Sequence, residues 1–233
     1  MSTPPASERV QVEWARRVEA EYRSSAITQH LTLWLTQIGA SPDLIRAGLV
    51  IAEDELVHAE MSHQVLLNAG GALPGPLDRQ SLGLQARGGP LEHDVLRVVI
   101  DVFCLGETVA VPLFSALRAE CTVPSARACL DRVLVDEVRH RAFGWDALTW
   151  LVEAHPQGDT FQSLAARILP ELLTRVAGHY SDRGEPAMTD DECAWGLMHS
   201  SRYAEILQRT WRRDYQPRFA QLGIDVTDSP AEA

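Results

Sequence analysis

Asp54-Glu55-Leu56-Val57-His58 and Asp136-Glu137-Val138-Arg139-His140 repeat one pattern, D-E-x-x-H, at two places in the chain. Residues three apart share a helix face, so Glu55 points with His58 and Glu137 with His140. The flanking residues fix which face that is. Leu44, Gly48, Ile51, Glu55, His58, Ser62 and Val65 follow a 4-3-4-3 spacing, as do Val133, Glu137, His140, Gly144, Ala147 and Leu151. These are the positions an amphipathic helix buries. The acids and imidazoles therefore stand where core residues belong. A third E-x-x-H, Glu60-Met61-Ser62-His63, lacks the preceding Asp. It is rotated off the inner stripe by about 140°, five residues at roughly 100° each. Two D-E-x-x-H matches arise by chance about once in a thousand sequences of this kind.

Outward from the motifs the chain reads as helices, and no stretch alternates with the period of a strand. The first helix spans about Ser7 to Ile38 and stops at Gly39. Ser41-Pro42 opens the second, which ends before Gly70-Gly71. Residues 70–90 hold six Gly and three Pro and form one long connection. A third helix covers about Leu91 to Cys121, and Thr122-Val123-Pro124 turns into a fourth ending near Ala154. Two accessory helices follow at about 160–222: Thr160 to Tyr180, and one opened by the capping box Thr189-x-x-Glu192 and ended before Gly223. Residues 224–233 read as a frayed tail, and Pro112 and Pro170 as kinks or breaks. Short links between helices one and two and between three and four, with one long crossover between two and three, predict a four-helix bundle. The expectation is one all-α domain over 1–233, its core at about 8–154.

The partner helices supply one acid each. Leu96, Ile100, Phe103, Glu107, Ala110, Phe114 and Leu117 make one stripe with Glu107 its only acid. Trp14, Val18, Glu21, Ser25, Thr28, Thr32 and Leu35 make the other, with Glu21 its only acid; Glu13 and Glu19 lie off it. Buried ionised carboxylates are too costly to stand alone, and four together repel. A pair of divalent cations removes both problems. Four Glu and two His form a mixed oxygen and nitrogen set that suits iron or manganese better than calcium or structural zinc. Asp54 and Asp136 each precede a histidine by four residues. Their expected role is to accept the free ring N–H of the histidine on the opposite helix and fix its tautomer.

The 233 residues carry 21 basic and 32 acidic side chains, a net charge of −11. That charge argues against a nucleic-acid binder and against docking on an anionic membrane. No run of 18 apolar residues predicts a spanning helix. Met1 to Arg9 is polar and unlike a signal peptide. Cys104, Cys121, Cys129 and Cys193 lack CxxC spacing and read as thiols in a reducing cytoplasm.

Together these residues give the sequence a resemblance to the ferritin-like dimetal-carboxylate superfamily. The resemblance covers roughly Glu8 to Ala154 and carries a full six-residue set: Glu21; Glu55 and His58; Glu107; Glu137 and His140. It implies that Glu55 and Glu137 bridge two irons, or a manganese–iron pair, and that Glu21 and Glu107 are terminal ligands. Departures narrow the family. There is no CxxC for a rubredoxin-type iron. A radical-storing subunit needs a tyrosine by the metals, yet Tyr22 is off the stripe of Glu21 and the other three Tyr are C-terminal. A three-histidine site is not supported, because Val133 stands where the extra histidine would be. A tRNA substrate would need a basic face. The resemblance thus implies a stand-alone biosynthetic oxidoreductase, a non-haem di-iron oxygenase or oxidase. It would use O2 and an external electron donor to oxidise a small organic substrate, and a homodimer is compatible with this. A ferroxidase or iron-storage protein is the alternative.

Overall fold

Ser7 caps the first helix, its hydroxyl accepting from the Val10 N–H, and Gly39 at φ 75° ends the turn that follows. The computed structural model describes residues 4–181, 184 and 186–225; residues 226–233 of the expected tail lie outside them. Helix α1 is Glu8–Gln37. Ser41 caps α2, Pro42–Asn68, with Pro42 in its first turn. The 70–90 connection holds one short 3-10 turn, Arg79–Leu82. Helix α3 is Leu91–Glu120 and α4 covers 124–154. Then come α5, Gly158–His179, α6, Asp190–Ala194, and α7 over 200–221. The described residues contain no strand.

Helices α1 and α2 pack as one pair, α3 and α4 as another, and α2 lies along α4, while α1 and α3 touch far less. Every residue of the two motif stripes is buried. One apolar core runs through both pairs and on through the C-terminal helices, from Val10 to Ile224. Helix α3 is long and apolar enough, by length and composition alone, to cross a bilayer. Half of its most apolar window is buried inside the protein, with Val95, Leu96, Ile100, Phe103 and Val109 fully enclosed.

Three features depart from the sequence expectation. First, residues Val99–Glu107 form a π-helical stretch that ends on Glu107. The wider turn shifts the register. Beyond it the buried stripe is Val109, Leu113 and Leu117, while Ala110 and Phe114 are half-buried. A Cβ on Gly144 would lie 2.6 Å from Phe103 Cβ and 2.7 Å from its carbonyl carbon, so this glycine lets α4 approach the wide turn. Second, the single helix expected from Thr189 is broken. The Thr189/Glu192 capping box forms, but Gly196 takes φ 81° and residues 197–199 leave the helix. Side chains of α1 hold the break: Trp14 Nε1 donates to Trp195 O at 3.0 Å and Arg17 Nη2 to Gly196 O at 2.8 Å. The accessory region is therefore three helices, not two. Third, neither proline interrupts its helix. Pro112 follows the wide turn, and α5 runs through Pro170.

Candidate metal centre

Leu44, Ile51 and Val65 on α2 and Val133, Ala147 and Leu151 on α4 are buried, and the helical repeat carries Glu55, His58, Glu137 and His140 inward with them. Both imidazoles are fully enclosed, with ring centroids 5.7 Å apart. Glu21 comes from α1, and Glu107 from the end of the wide turn in α3; both are buried. Two groups of three have ligand atoms within 4.8 Å of one another: Glu21, Glu55 and His58, and Glu55, Glu107 and His140. Each could hold a metal ion, and Glu55 belongs to both. Glu137 stands outside both groups, with its Oε2 3.8 Å from His140 Nδ1.

The histidines are held from behind. His58 Nε2 lies 3.1 Å from Asp136 Oδ2, and His140 Nε2 lies 3.3 Å from Asp54 Oδ2. Each aspartate thus crosses to the histidine of the other helix. Donating Nε2–H there leaves the Nδ1 lone pair facing the carboxylates. His58 Nδ1 is 3.8 Å from Glu21 and 3.7 Å from Glu55, and His140 Nδ1 is 3.4 Å from Glu55. Arg139 Nη2 donates to Asp54 at 2.8 Å and to Asp136 at 2.7 Å, and Arg132 Nε donates to Asp136. Burial opposes the ionised Asp136, but Arg132 and His58 hold its carboxyl below the usual range.

Eight buried side-chain atoms have no hydrogen-bond partner among the described residues, and four of them belong to the two motifs: Glu55 Oε2, Glu137 Oε2, His58 Nδ1 and His140 Nδ1. Orphans of this kind are rare because each forfeits its desolvation energy. Here all four are the inward atoms of the two motifs. The electrostatics agree. Burial, with Glu55 next, pushes the Glu21 carboxyl well up. Burial and then Glu107 do the same to Glu137, and burial and then Glu55 raise Glu107. Burial opposes ionised Glu55, yet its contacts with His140 and His58 hold it below the usual range. His140 is pushed up to about 9 against its own burial, mainly by Glu55. Two dications would neutralise four carboxylates and supply the four orphans with partners, so the residues fit the group.

Other side chains at the site escape a reading by stripe. On α1 Arg17 is buried and Val18 is only half-buried. Ser24 Oγ donates to Glu55 Oε1 at 3.0 Å. Arg132 and Arg139 did have a signal, standing four before and three after Asp136 on the same helix. Tyr180 has none. It lies at the end of α5, and burial, then the charge of Glu107, raises its phenol. His63, on the third E-x-x-H, is not in either ligand group. Cys104 is a packed thiol whose Sγ lies 3.3 Å from Gly144 O. All four cysteines are free.

Comparison of the chain with protein-family models, with curated proteins and with solved structures found no match.

Proposed function

We propose that this chain is a ferritin-like, non-haem di-iron oxygenase or oxidase that uses O2 to oxidise a small organic substrate. The observation that carries the reading is the convergence of four orphaned inward atoms, two carboxylate and two imidazole, on one buried point. Glu21, Glu55 and His58 would hold one metal and Glu55, Glu107 and His140 the other, with Glu137 beside His140. Iron or manganese suits this donor set. Bound there, the metal pair supplies the electrons and Lewis acidity that activate O2, with an external donor restoring them.

The chain's own residues do the rest. Asp136 and Asp54 hold the Nε2 protons of His58 and His140, so each imidazole presents Nδ1 inward. The fully buried Ile51, Ile100, Phe103 and Leu151 exclude water from the centre. Free cysteines throughout suit work in a reducing cytoplasm.

Anaerobic loading with Fe(II), followed by O2, tests the reading. The expected result is about two irons retained per chain and O2 uptake that depends on a reductant and an added organic substrate. Many irons per chain retained as a mineral would make this a storage protein instead. No iron bound would reject both readings.

A further inference from the structure

A hollow of about 700 Å3 lies beside α1, opposite a wall made by residues 179–181, 188, 197, 198, 200 and 203. That volume fits a small organic molecule. Helix α1 lines it with Arg9, Arg16 and Arg23, seven residues and so two turns apart, with Ala20 opening space between the last two. In a chain of net charge −11 this is a local reversal of sign. Four arginines meet three glutamates on the lining. Arg9 is engaged by Glu192 and by Pro186 O, and Arg17 by Glu13. Arg16 and Arg23 form no ion pair among the described residues. Arg23 Nε is buried without a hydrogen-bond acceptor, as is Nη1 of Arg17, whose side chain is 9% exposed. Cationic N–H groups left without an acceptor are costly, and a ligand oxygen would satisfy them once a guanidinium turns toward the hollow.

The opposite wall is apolar and aromatic. Tyr180 and Tyr203 lie nearly parallel, 8° between planes and 6.2 Å between centroids, with Leu197 and Met198 beside them. On α1 the lining residues Arg17 and Ala20 stand one turn and one residue before Glu21, so the hollow adjoins that edge of the candidate metal centre.

Resting on the oxygenase reading above, we infer that this hollow is the substrate pocket and that it takes a small organic carboxylate, its charge on Arg16 and Arg23 and its apolar body against Tyr180 and Met198. A guanidinium pair fixes one end of such a molecule, and its body is left against Tyr180 and Met198.

Calorimetric titration of the metal-free protein with benzoate, and with benzamide as its neutral counterpart, tests this without metal coordination by the probe. Benzoate should bind at least about tenfold more tightly than benzamide, and Arg16→Gln and Arg23→Gln should each remove about tenfold of that affinity. Arg212→Gln, at an exposed position on α7, should leave it unchanged. Circular dichroism checks that each variant is folded. Equal affinity for benzamide, unaltered binding in both pocket variants, or no binding at all would overturn the inference. Metal content of the same preparations separates the two proposals. Two metals per chain without benzoate binding rejects the pocket alone. Benzoate binding in a chain that takes up no metal rejects the oxygenase reading and with it the substrate role.

Discussion

The two halves of the candidate centre are built differently. On the α2–α4 side every ligand-bearing turn is backed by a network. His58 rests on Asp136, His140 on Asp54, and both aspartates on Arg139 and Arg132. On the α1–α3 side Glu21 and Glu107 stand singly, Glu21 one turn from Arg17 and Glu107 at the end of a wide turn. Helices α2 and α4 pack along each other, whereas α1 and α3 scarcely touch and the hollow lies beside α1. The difference assigns rigidity to one side and access to the other. The backed pair would hold metals in place, and the unbacked pair would face what comes in. Networks that fix a ligand's orientation raise its affinity, while groups at an opening must tolerate exchange.

The largest effect should come from breaking the backed side at its ligands. His58→Ala or His140→Ala should weaken metal binding by more than about 100-fold, above the usual cost of losing only a supporting partner. Equilibrium dialysis with Fe(II) or Mn(II) measures it, and wild-type affinity in either variant would mean that the ring does not serve the metal. A smaller loss, about 10–100-fold, is expected for Asp136→Asn and Asp54→Asn, which keep the shape but remove the charge that holds the ring proton. If these variants matched wild type while Glu21→Gln did not, the contrast between the halves would be reversed.

A pH titration of stability sharpens the comparison further. Folding raises the carboxyls of Glu21, Glu107 and Glu137 and brings His140 from 6.5 to about 9. The native metal-free chain then binds more protons than the unfolded one, so its stability falls as pH rises. For His140 the stabilisation is full below 6.5 and lost through about 9. Glu55 acts oppositely, but only in acid below its ordinary 4.5. Metal binding displaces these protons, so the gain in melting temperature on loading should be larger at pH 8 than at pH 6. A gain that shrinks with pH would contradict the proposed ligand set. The smallest effect belongs to His63→Ala, which should leave metal binding unchanged; a loss like that of His58→Ala would mean the α2 register is misread.

How much of this could be read from the sequence follows the same division. The α2 and α4 stripes were legible because both helices are regular there, and a constant turn makes spacing a reliable guide to facing. The position of Glu107 was legible, but the π-helical stretch before it was not, since the apolar pattern of Val99 to Phe103 fits either turn. The break at 195–199 depends on Trp14 and Arg17 reaching across from α1 to take the carbonyls of Trp195 and Gly196. A strong capping box followed by helical periodicity hides such a contact. Arg17 in place of Val18 is likewise a consequence of packing between distant segments.

The most direct test of the central claim is elemental analysis of the purified chain after saturation with Fe(II) under argon and removal of excess metal. With Glu55 common to two ligand groups and four orphaned inward atoms, two ions per chain are expected, falling to one or fewer in Glu55→Gln. Zero or one ion in the unaltered chain, or two ions retained in Glu55→Gln, would contradict a dimetal centre at this site.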